Sequence, residues 1–229
     1  MSAQRATSMK ALYDLTPFTL LDFPDIPAAI FWFAGCNLRC VYCYNPELVF
    51  GEAHIDEAQA LVFLEKRRGL LEGVVLSGGE CTLYPNLIPF CITIKAFGYK
   101  IKLDTNGMRP DVIASLIALE LVDYVALDYK APDAKMAQIC GGGSEKRFWE
   151  SFELLHTGTI AYEVRTTLHP DFLSDEEIVA MAKALKDKGY GREFYVQLFQ
   201  EGRGTLGHLS SSSRRIDAES LAAYVTLRR

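Results

Sequence analysis

The stretch AAIFWF at residues 28–33 runs, after Ala34, into GCNLRCVYC at residues 35–43, and this junction decides the fold. The first part is a short apolar and aromatic run, which predicts a buried strand. The second part places three cysteines within eight residues directly behind that strand. Parallel α/β barrels build their sites at the carboxyl ends of their strands, so the cysteines are expected at such a rim.

Runs of the same kind recur along the chain and alternate with segments of helical period. One of these helices has a capping box, Ser174 with Glu177, in front of it. The pattern predicts an α/β fold with a parallel sheet and outer helices, in which six right-handed βα units form an incomplete (β/α)6 barrel. The predicted strands are 28–33, 73–76, 100–103, 124–127, 162–168 and 194–198.

Length and composition indicate one domain over residues 1–229, since 49% hydrophobic content can fill a single core. The barrel is expected at about 28–200, with a helical tail at about 210–229 whose helix begins near Asp217. A net charge of −5 argues against nucleic acid as a partner. Because the sequence has neither a leader pattern nor an apolar run near the roughly 20 residues of a membrane span, we expect a cytoplasmic protein without a membrane partner.

The cysteines Cys36, Cys40 and Cys43 are candidate metal ligands, because thiols stay reduced in the cytoplasm. Three thiolates on a cube of four irons leave one iron open for a further ligand. The residues alone also allow a zinc site completed by His54, a disulfide with a spare thiol, or buried thiols. Cys91 and Cys140 are predicted to be small buried residues, whereas the role of Cys81 is open.

Polar residues follow the other predicted strands at the same rim. Gly78, Gly79 and Glu80 come after the second strand, where the glycines would let the backbone approach a ligand and the carboxylate could accept from an ammonium group. Strand ends further along carry Asp104, Asp128, Lys130 and Arg165. The alternative interpretation of Gly78, Gly79 and Glu80 is an ordinary turn. The alternative interpretation of Asp128 with Lys130 is a structural ion pair. His169 and Gln197 are weaker candidates.

The C-x3-C-x2-C spacing with Tyr42 before the last cysteine resembles the radical S-adenosylmethionine (SAM) superfamily. NPEL at 45–48 and TPFTLLDFP at 16–24 make the chain similar to activating proteins of glycyl radical enzymes, above all that of anaerobic ribonucleoside-triphosphate reductase. The resemblance runs from about residue 15 to 200. Tyr44 and Asp25 stand where this family commonly has histidine and glycine.

This resemblance implies that a 4Fe–4S cluster on the three cysteines reductively cleaves SAM to a 5′-deoxyadenosyl radical. It implies that Gly78, Gly79 and Glu80 align the SAM amino group and that Asp104 and Lys130 bind its amino and carboxylate ends. Asp104 and Asp128 would share a monovalent cation. The implied metal ligands are Cys36, Cys40 and Cys43, and the implied cofactor-binding residues are Tyr42, Gly78, Gly79, Glu80, Asp104, Asp128, Lys130 and Arg165.

The implied activity is an oxidoreductase of the activating type, which takes a hydrogen atom from a backbone glycine of a partner enzyme. The partner would be anaerobic ribonucleotide reductase, and a flavodoxin or ferredoxin would donate the electron. Three alternatives stay open: an activase of another glycyl radical enzyme such as pyruvate formate-lyase, a small-molecule enzyme such as 7-carboxy-7-deazaguanine synthase, and a non-enzymatic zinc or electron-relay module.

Overall fold

The computed structural model describes residues 10–228, and nine strands in this part of the chain form one sheet. Its order is β3-β1-β2-β4-β5-β6-β7-β8-β9. β2 and the six strands β4 to β9 run parallel to one another. β1 is antiparallel to both of its neighbours, β2 and β3. The strands are β1 Lys10–Thr19, β2 Ala28–Phe33, β3 Ile55–Asp56, β4 Gly73–Gly78, β5 Lys100–Thr105, β6 Tyr124–Asp128, β7 Ala161–Leu168, β8 Phe194–Leu198 and β9 Thr226–Arg228.

Helices connect the parallel strands, as the alternating pattern predicted. The capping box of Ser174 and Glu177 is present at the start of the helix that follows β7. A second capping box, formed by Asp56 and Gln59, begins the helix before β4. The α/β prediction is therefore confirmed. The helices are α1 Pro46–Phe50, α2 Glu57–Lys66, α3 Leu87–Ala96, α4 Pro110–Ala118, α5 Asp133–Cys140, α6 Glu145–Thr157, α7 Asp175–Asp187 and α8 Ala218–Leu221.

Alternate residues of each strand face opposite sides of the sheet. On β2, Phe31 and Phe33 pack into the large core under the helices. Ile30, the residue before Phe31, belongs instead to a small apolar cluster with Val75 and with Phe23 of the β1–β2 loop. The same side of the sheet carries Asp104, Asp128 and Arg165 toward the carboxyl ends of the strands.

All six predicted strands are present, but three of them extend further at their carboxyl ends. β4 includes Gly78, β5 includes Asp104 and β6 includes Asp128. Gly78, Asp104 and Asp128, which were expected to follow the strands, therefore belong to them. Parallel pairing, for example of Asp104 with Ala126, outweighs the low strand propensity of aspartate.

The predicted tail helix is wrong over most of its length. α8 has four residues, and the chain then continues as β9 beside β8. Pairing of Thr226 with Tyr195 covers the open edge of the sheet, and this tertiary contact outweighs the helical pattern. β1 was also missed, because Asp14 and Pro17 within it argue against a strand. Within residues 10–228 no helix is long and apolar enough to cross a bilayer.

Candidate active site

The residues that the sequence predicted for the site surround one cavity at the carboxyl ends of the parallel strands. Four sit in the loop after β2, and the others lie at the ends of β4 to β7. The residues come together because the carboxyl ends of parallel strands all lie at the same rim of a barrel. The cavity wall includes Cys36, Cys40, Tyr42, Cys43, Gly78, Gly79, Glu80, Asp104, Asp128, Lys130 and Arg165.

The cysteine loop, residues 35–43, is held on one side by the carboxyl end of α5. The Arg39 N–H donates to the Cys140 carbonyl at 2.7 Å, and the Val41 N–H donates to the Ile139 carbonyl at 2.9 Å. Carbonyls in the last turn of a helix have no partner within the helix. The loop satisfies two of them, so the end of α5 fixes its backbone on both flanks of Cys40.

A segment after β8 holds the other side of the cysteine loop. Gly207 donates its N–H to the Val41 carbonyl, and Leu206 donates to the Cys43 carbonyl, each at 2.8 Å. A side chain at Gly207 would come within 2.8 Å of the Val41 oxygen, so the close approach requires glycine. The backbone around the thiols is thus fixed by contacts that do not involve the thiols themselves.

The three thiols all line the cavity. Among residues 10–228, no three Cys, His, Asp or Glu side chains are arranged to hold a single metal ion. Burial raises the pKa of the Cys36 thiol to about 11 and also raises the pKa of Cys43. Because metals bind thiolates, loading this site must displace protons from these groups.

A fourth thiol lies near Cys40. Cys140, the last residue of α5, is fully buried as predicted. The interaction between the two thiols, together with burial, raises the pKa of Cys40. The same interaction lowers the pKa of Cys140, although burial opposes this shift. The sequence contained no signal for this interaction, because the two cysteines are a hundred residues apart.

Gly78 and Gly79 let the end of β4 lie directly against the start of the cysteine loop. A Cβ on Gly79 would lie 2.0 Å from the Gly35 carbonyl oxygen, and one on Gly78 would lie 2.4 Å from the Phe33 nitrogen. Gly78 also has φ of 118°, which favours glycine. These glycines let the backbone of β4 approach the backbone of the cysteine loop, and both also line the cavity. Their close approach to a ligand stays a prediction.

Glu80 is buried and ties two strand ends together. Its Oε1 accepts from the hydroxyls of Thr82 at 2.5 Å and Thr105 at 2.8 Å. Its Oε2 accepts from the Asn106 N–H at 2.8 Å. Burial raises the pKa of Glu80, although these hydrogen bonds oppose the shift. Oε2, with one partner, retains the capacity to accept from a ligand.

A charged network forms the floor of the cavity. Arg165 bridges two carboxylates: its Nη2 lies 3.3 Å from Asp104 Oδ2 and its Nε lies 2.6 Å from Asp128 Oδ1. Lys130 lies 2.8 Å from the other oxygen of Asp128. Lys102 pairs with Asp104. Lys102 was missed in the sequence, although residues two apart on a strand share a face, so its position before Asp104 was the available signal.

The network carries one excess positive charge, since three cations face two carboxylates. Burial raises the pKa of Asp128, but Arg165 and Lys130 outweigh it and lower the pKa to about 2. The pKa of Asp104 is also lowered, because Arg165 and Lys102 outweigh the effect of burial. Both carboxylates are therefore ionised at neutral pH, and the excess charge suits an anionic group of a ligand.

A monovalent cation shared by Asp104 and Asp128 stays a prediction. The guanidinium of Arg165 contacts both carboxylates. A cation between the carboxylates would therefore have to compete with a guanidinium that is already in place.

Tyr42 in the cysteine loop and Tyr44 directly after it have distinct surroundings. Tyr42 is 4% exposed, and its hydroxyl donates to the Lys130 carbonyl at 3.4 Å. Tyr44 accepts from the Gln200 N–H at 2.6 Å and stacks on Phe199. Tyr42 therefore packs against the barrel while lining the cavity, and Tyr44 attaches the loop to the segment after β8.

The remaining candidates lie outside the cavity wall. Cys81 is buried, with its thiol 3.4 Å from the Asp104 carbonyl oxygen. Cys91 is buried in α3, as expected. His169 is 2% exposed, and its Nδ1 accepts from the Asp171 N–H at 3.2 Å. Gln197 is exposed on β8.

Known proteins are similar to this chain to different extents. Residues 30–170 match the radical SAM superfamily. A Methanocaldococcus jannaschii protein named "putative glycyl-radical enzyme activating enzyme" is 30% identical over 78% of this chain and 77% of its own length. The pyruvate formate-lyase-activating enzyme of Clostridium pasteurianum is 27% identical over the same shares. A 7-carboxy-7-deazaguanine synthase of Neisseria meningitidis is 32% identical, but over 46% of this chain and 45% of its own.

Solved structures share the fold. Streptococcus suis SuiB, crystallised with S-adenosylmethionine, aligns with a TM-score of 0.67 and 16% identity over 87% of this chain. The present chain spans 49% of that protein. Escherichia coli QueE aligns with a TM-score of 0.58 and 15% identity over 95% of this chain and 92% of its own. Identities this low support a common fold only.

The superfamily match covers more than half of the chain, and the similarity to the activating enzymes covers most of it. The prediction made from the three cysteines and the segments around them is thereby confirmed at the level of the family. The protein belongs to the radical SAM superfamily, whose cofactors are a 4Fe–4S cluster and S-adenosylmethionine, and within it to the family of the glycyl-radical enzyme activating enzymes.

Proposed function

We propose that this protein generates a glycyl radical on a partner enzyme, and that the partner is an anaerobic ribonucleoside-triphosphate reductase. The observation that carries the proposal is the convergence of three thiols, the Gly78–Glu80 turn and a charged network on one cavity. Similarity to activating enzymes over 78% of the chain supports the type of reaction.

The donor set of the cavity fits the cluster. Cys36, Cys40 and Cys43 all contribute soft thiol sulfurs to the cavity wall, and iron–sulfur clusters are held by cysteine thiolates. We therefore propose these three cysteines as the cluster ligands. When bound, the reduced cluster and SAM supply a carbon radical that can remove a hydrogen atom from a C–H bond.

The charged network is suited to hold the amino-acid end of SAM. Lys130 and Arg165 offer the excess positive charge to its carboxylate. Glu80 Oε2 can accept from its amino group, which Asp104 would also attract. Asp128 keeps Lys130 and Arg165 in position, because it contacts both. Tyr42 lines the same cavity and could face the adenine. These roles make orientation of SAM the main contribution of the protein.

The choice of substrate class rests on how far the similarity extends. Similarity to the deazaguanine synthase covers 46% of the chain, whereas similarity to the activating enzymes covers 78%. Asn45 and Pro46, which start α1 behind the cysteine loop, belong to the segment that resembles activating proteins. Among the described residues, no second cysteine cluster accompanies the first, so we propose that a flavodoxin or ferredoxin delivers the electron.

The partner is tested by mixing the reconstituted, dithionite-reduced protein with SAM and a purified anaerobic reductase. We expect 5′-deoxyadenosine and, by electron paramagnetic resonance (EPR), a glycyl radical on the reductase. The matched control is the reductase with its radical glycine replaced by alanine, which should give no signal. A glycyl radical that forms on pyruvate formate-lyase and not on the reductase would contradict the proposed partner and identify pyruvate formate-lyase in its place. Absence of a radical on any partner, despite 5′-deoxyadenosine formation, would contradict the activase function.

A further inference from the structure

The two neighbours of Cys36 in the chain are both tied to the strand ends that carry Glu80 and Asn106. Glu80 donates its N–H to the Gly35 carbonyl at 2.8 Å. On the other side of Cys36, the side-chain nitrogen of Asn106 donates to Asn37 Oδ1 at 2.8 Å. Cys36 is thus bracketed by two hydrogen bonds from residues that follow β4 and β5.

Asn106 closes these contacts into a ring. Its backbone N–H donates to Glu80 Oε2 at 2.8 Å, while its side chain reaches Asn37. The members of the ring, in order, are Cys36, Gly35, Glu80, Asn106 and Asn37. A closed ring of hydrogen bonds restricts relative movement more than separate contacts do, because one member cannot shift without straining the others. The only link in it that two side chains make is the hydrogen bond between Asn106 and Asn37, which we call the asparagine bridge.

The orientation of the Asn106 amide is fixed by its oxygen. Oδ1 accepts from the Met108 N–H at 3.0 Å. Since a backbone N–H can only donate, the side-chain nitrogen of Asn106 must face Asn37. Asn106 is 4% exposed, whereas Asn37 is exposed. Loss of the Asn37 oxygen would therefore leave a buried donor without its partner, which costs more than loss of an exposed hydrogen bond.

We propose that the asparagine bridge fixes the position of Cys36 relative to Glu80 and thereby sets the affinity for SAM. The inference rests on the proposed function, in which Cys36 is a cluster ligand and Glu80 accepts from the SAM amino group. A ligand that is held at two points binds tightly only when those points are already at the right separation. Asn37 and Asn106 are thus positioning residues, which act through Cys36 and Glu80.

Substitutions of Asn37 test the bridge, because they leave the contacts of Asn106 with Glu80 and Met108 in place. Asn37→Ala removes the acceptor, whereas Asn37→Asp retains a side-chain oxygen. The dissociation constant of SAM is measured on the reconstituted, reduced protein without a partner, from the change that SAM causes in the EPR spectrum. We expect Asn37→Ala to raise this constant about five- to tenfold, with bound iron at the wild-type level, and Asn37→Asp to restore tight binding.

A double-mutant cycle tests whether the two asparagines act together. Asn106→Ala should also weaken SAM binding. The double variant Asn37→Ala/Asn106→Ala should bind SAM no more weakly than Asn106→Ala alone, because the bridge is already broken. Asn86→Ala is the matched control. The Asn86 amide donates to Glu57 Oε1 at 2.7 Å and links the starts of α3 and α2, so its loss should leave SAM affinity and bound iron unchanged.

Four results would overturn the inference. Wild-type SAM affinity in Asn37→Ala would mean that the bridge does not position the site. An equal loss of affinity in Asn37→Asp would mean that the hydrogen bond is not the cause. Additive losses in the double variant would mean that the two side chains act independently. Loss of iron in Asn37→Ala as severe as in Cys36→Ala would mean that the bridge holds the cluster rather than SAM.

The proposed function fails in a different way. If the wild-type protein assembles no cluster, or if its spectrum does not respond to SAM, the proposed ligands are contradicted. A wild-type protein that binds SAM while Asn37→Ala binds it equally well contradicts the asparagine bridge alone.

Discussion

Cys40→Ala is expected to lose essentially all of the iron that the wild-type protein binds on anaerobic reconstitution. The physical reason is that two remaining thiolates, Cys36 and Cys43, cannot hold a cube that needs three. The fold should survive, because the cysteine loop is anchored through the backbone of Arg39 and Val41 and not through the Cys40 side chain. Iron and sulfide analysis, with circular dichroism as a check on folding, measures the effect.

Cys91→Ala is the matched control for this substitution. Cys91 is fully buried in α3 and lies outside the cavity wall. Its removal should cost about 1 kcal/mol of unfolding free energy through the small space left behind, with iron content unchanged. Equal loss of iron in both variants would show that the ligands are wrongly assigned.

Gly79→Ala is expected to reduce both iron content and SAM cleavage by about tenfold or more, because a contact this close cannot be relieved locally. The new Cβ would lie 2.0 Å from the carbonyl oxygen of Gly35, which is backbone and cannot rotate away. Relief requires the start of the cysteine loop to move, and Cys36 is the next residue. The hydrogen bond from the Glu80 N–H to the Gly35 oxygen, at 2.8 Å, would be disturbed in the same movement.

Gly191→Ala provides the control for the loss of a glycine. A Cβ at Gly191 would meet nothing within 4 Å, and its φ is not in the left-handed region. Its substitution should change the unfolding free energy by less than about 0.5 kcal/mol and leave the cluster intact. Wild-type iron content and SAM cleavage in Gly79→Ala would mean that the Gly79–Gly35 contact is not needed to position the cysteines.

The fold was predictable because the buried parallel strands have strong local patterns. β2 and β8 were predicted with the bounds that the structure has. The capping box of Ser174 and Glu177 correctly predicted the start of α7. β1 and β9 could not be predicted in this way. β1 contains a proline and β9 has three residues, so both depend on tertiary pairing at the ends of the sheet.

The site was predictable in its members but not in its internal contacts. Polar residues at the carboxyl ends of parallel strands must share a rim, which brought Asp104, Asp128 and Arg165 to one cavity. Sequence spacing does not indicate which carboxylate a guanidinium binds. The contact of Arg165 with both Asp104 and Asp128 could therefore be seen only in the structure. The same is true of Cys140, which lies near Cys40 only because α5 ends against the cysteine loop.

The central claim is that Cys36, Cys40 and Cys43 hold a cluster with one iron open to SAM. It is tested most directly by the EPR spectrum of the reduced, reconstituted protein before and after SAM is added, with no partner present. The account predicts a cluster signal that changes when SAM binds, followed by release of 5′-deoxyadenosine. A metal centre coordinated entirely by the protein, with a spectrum that SAM leaves unchanged, would contradict it.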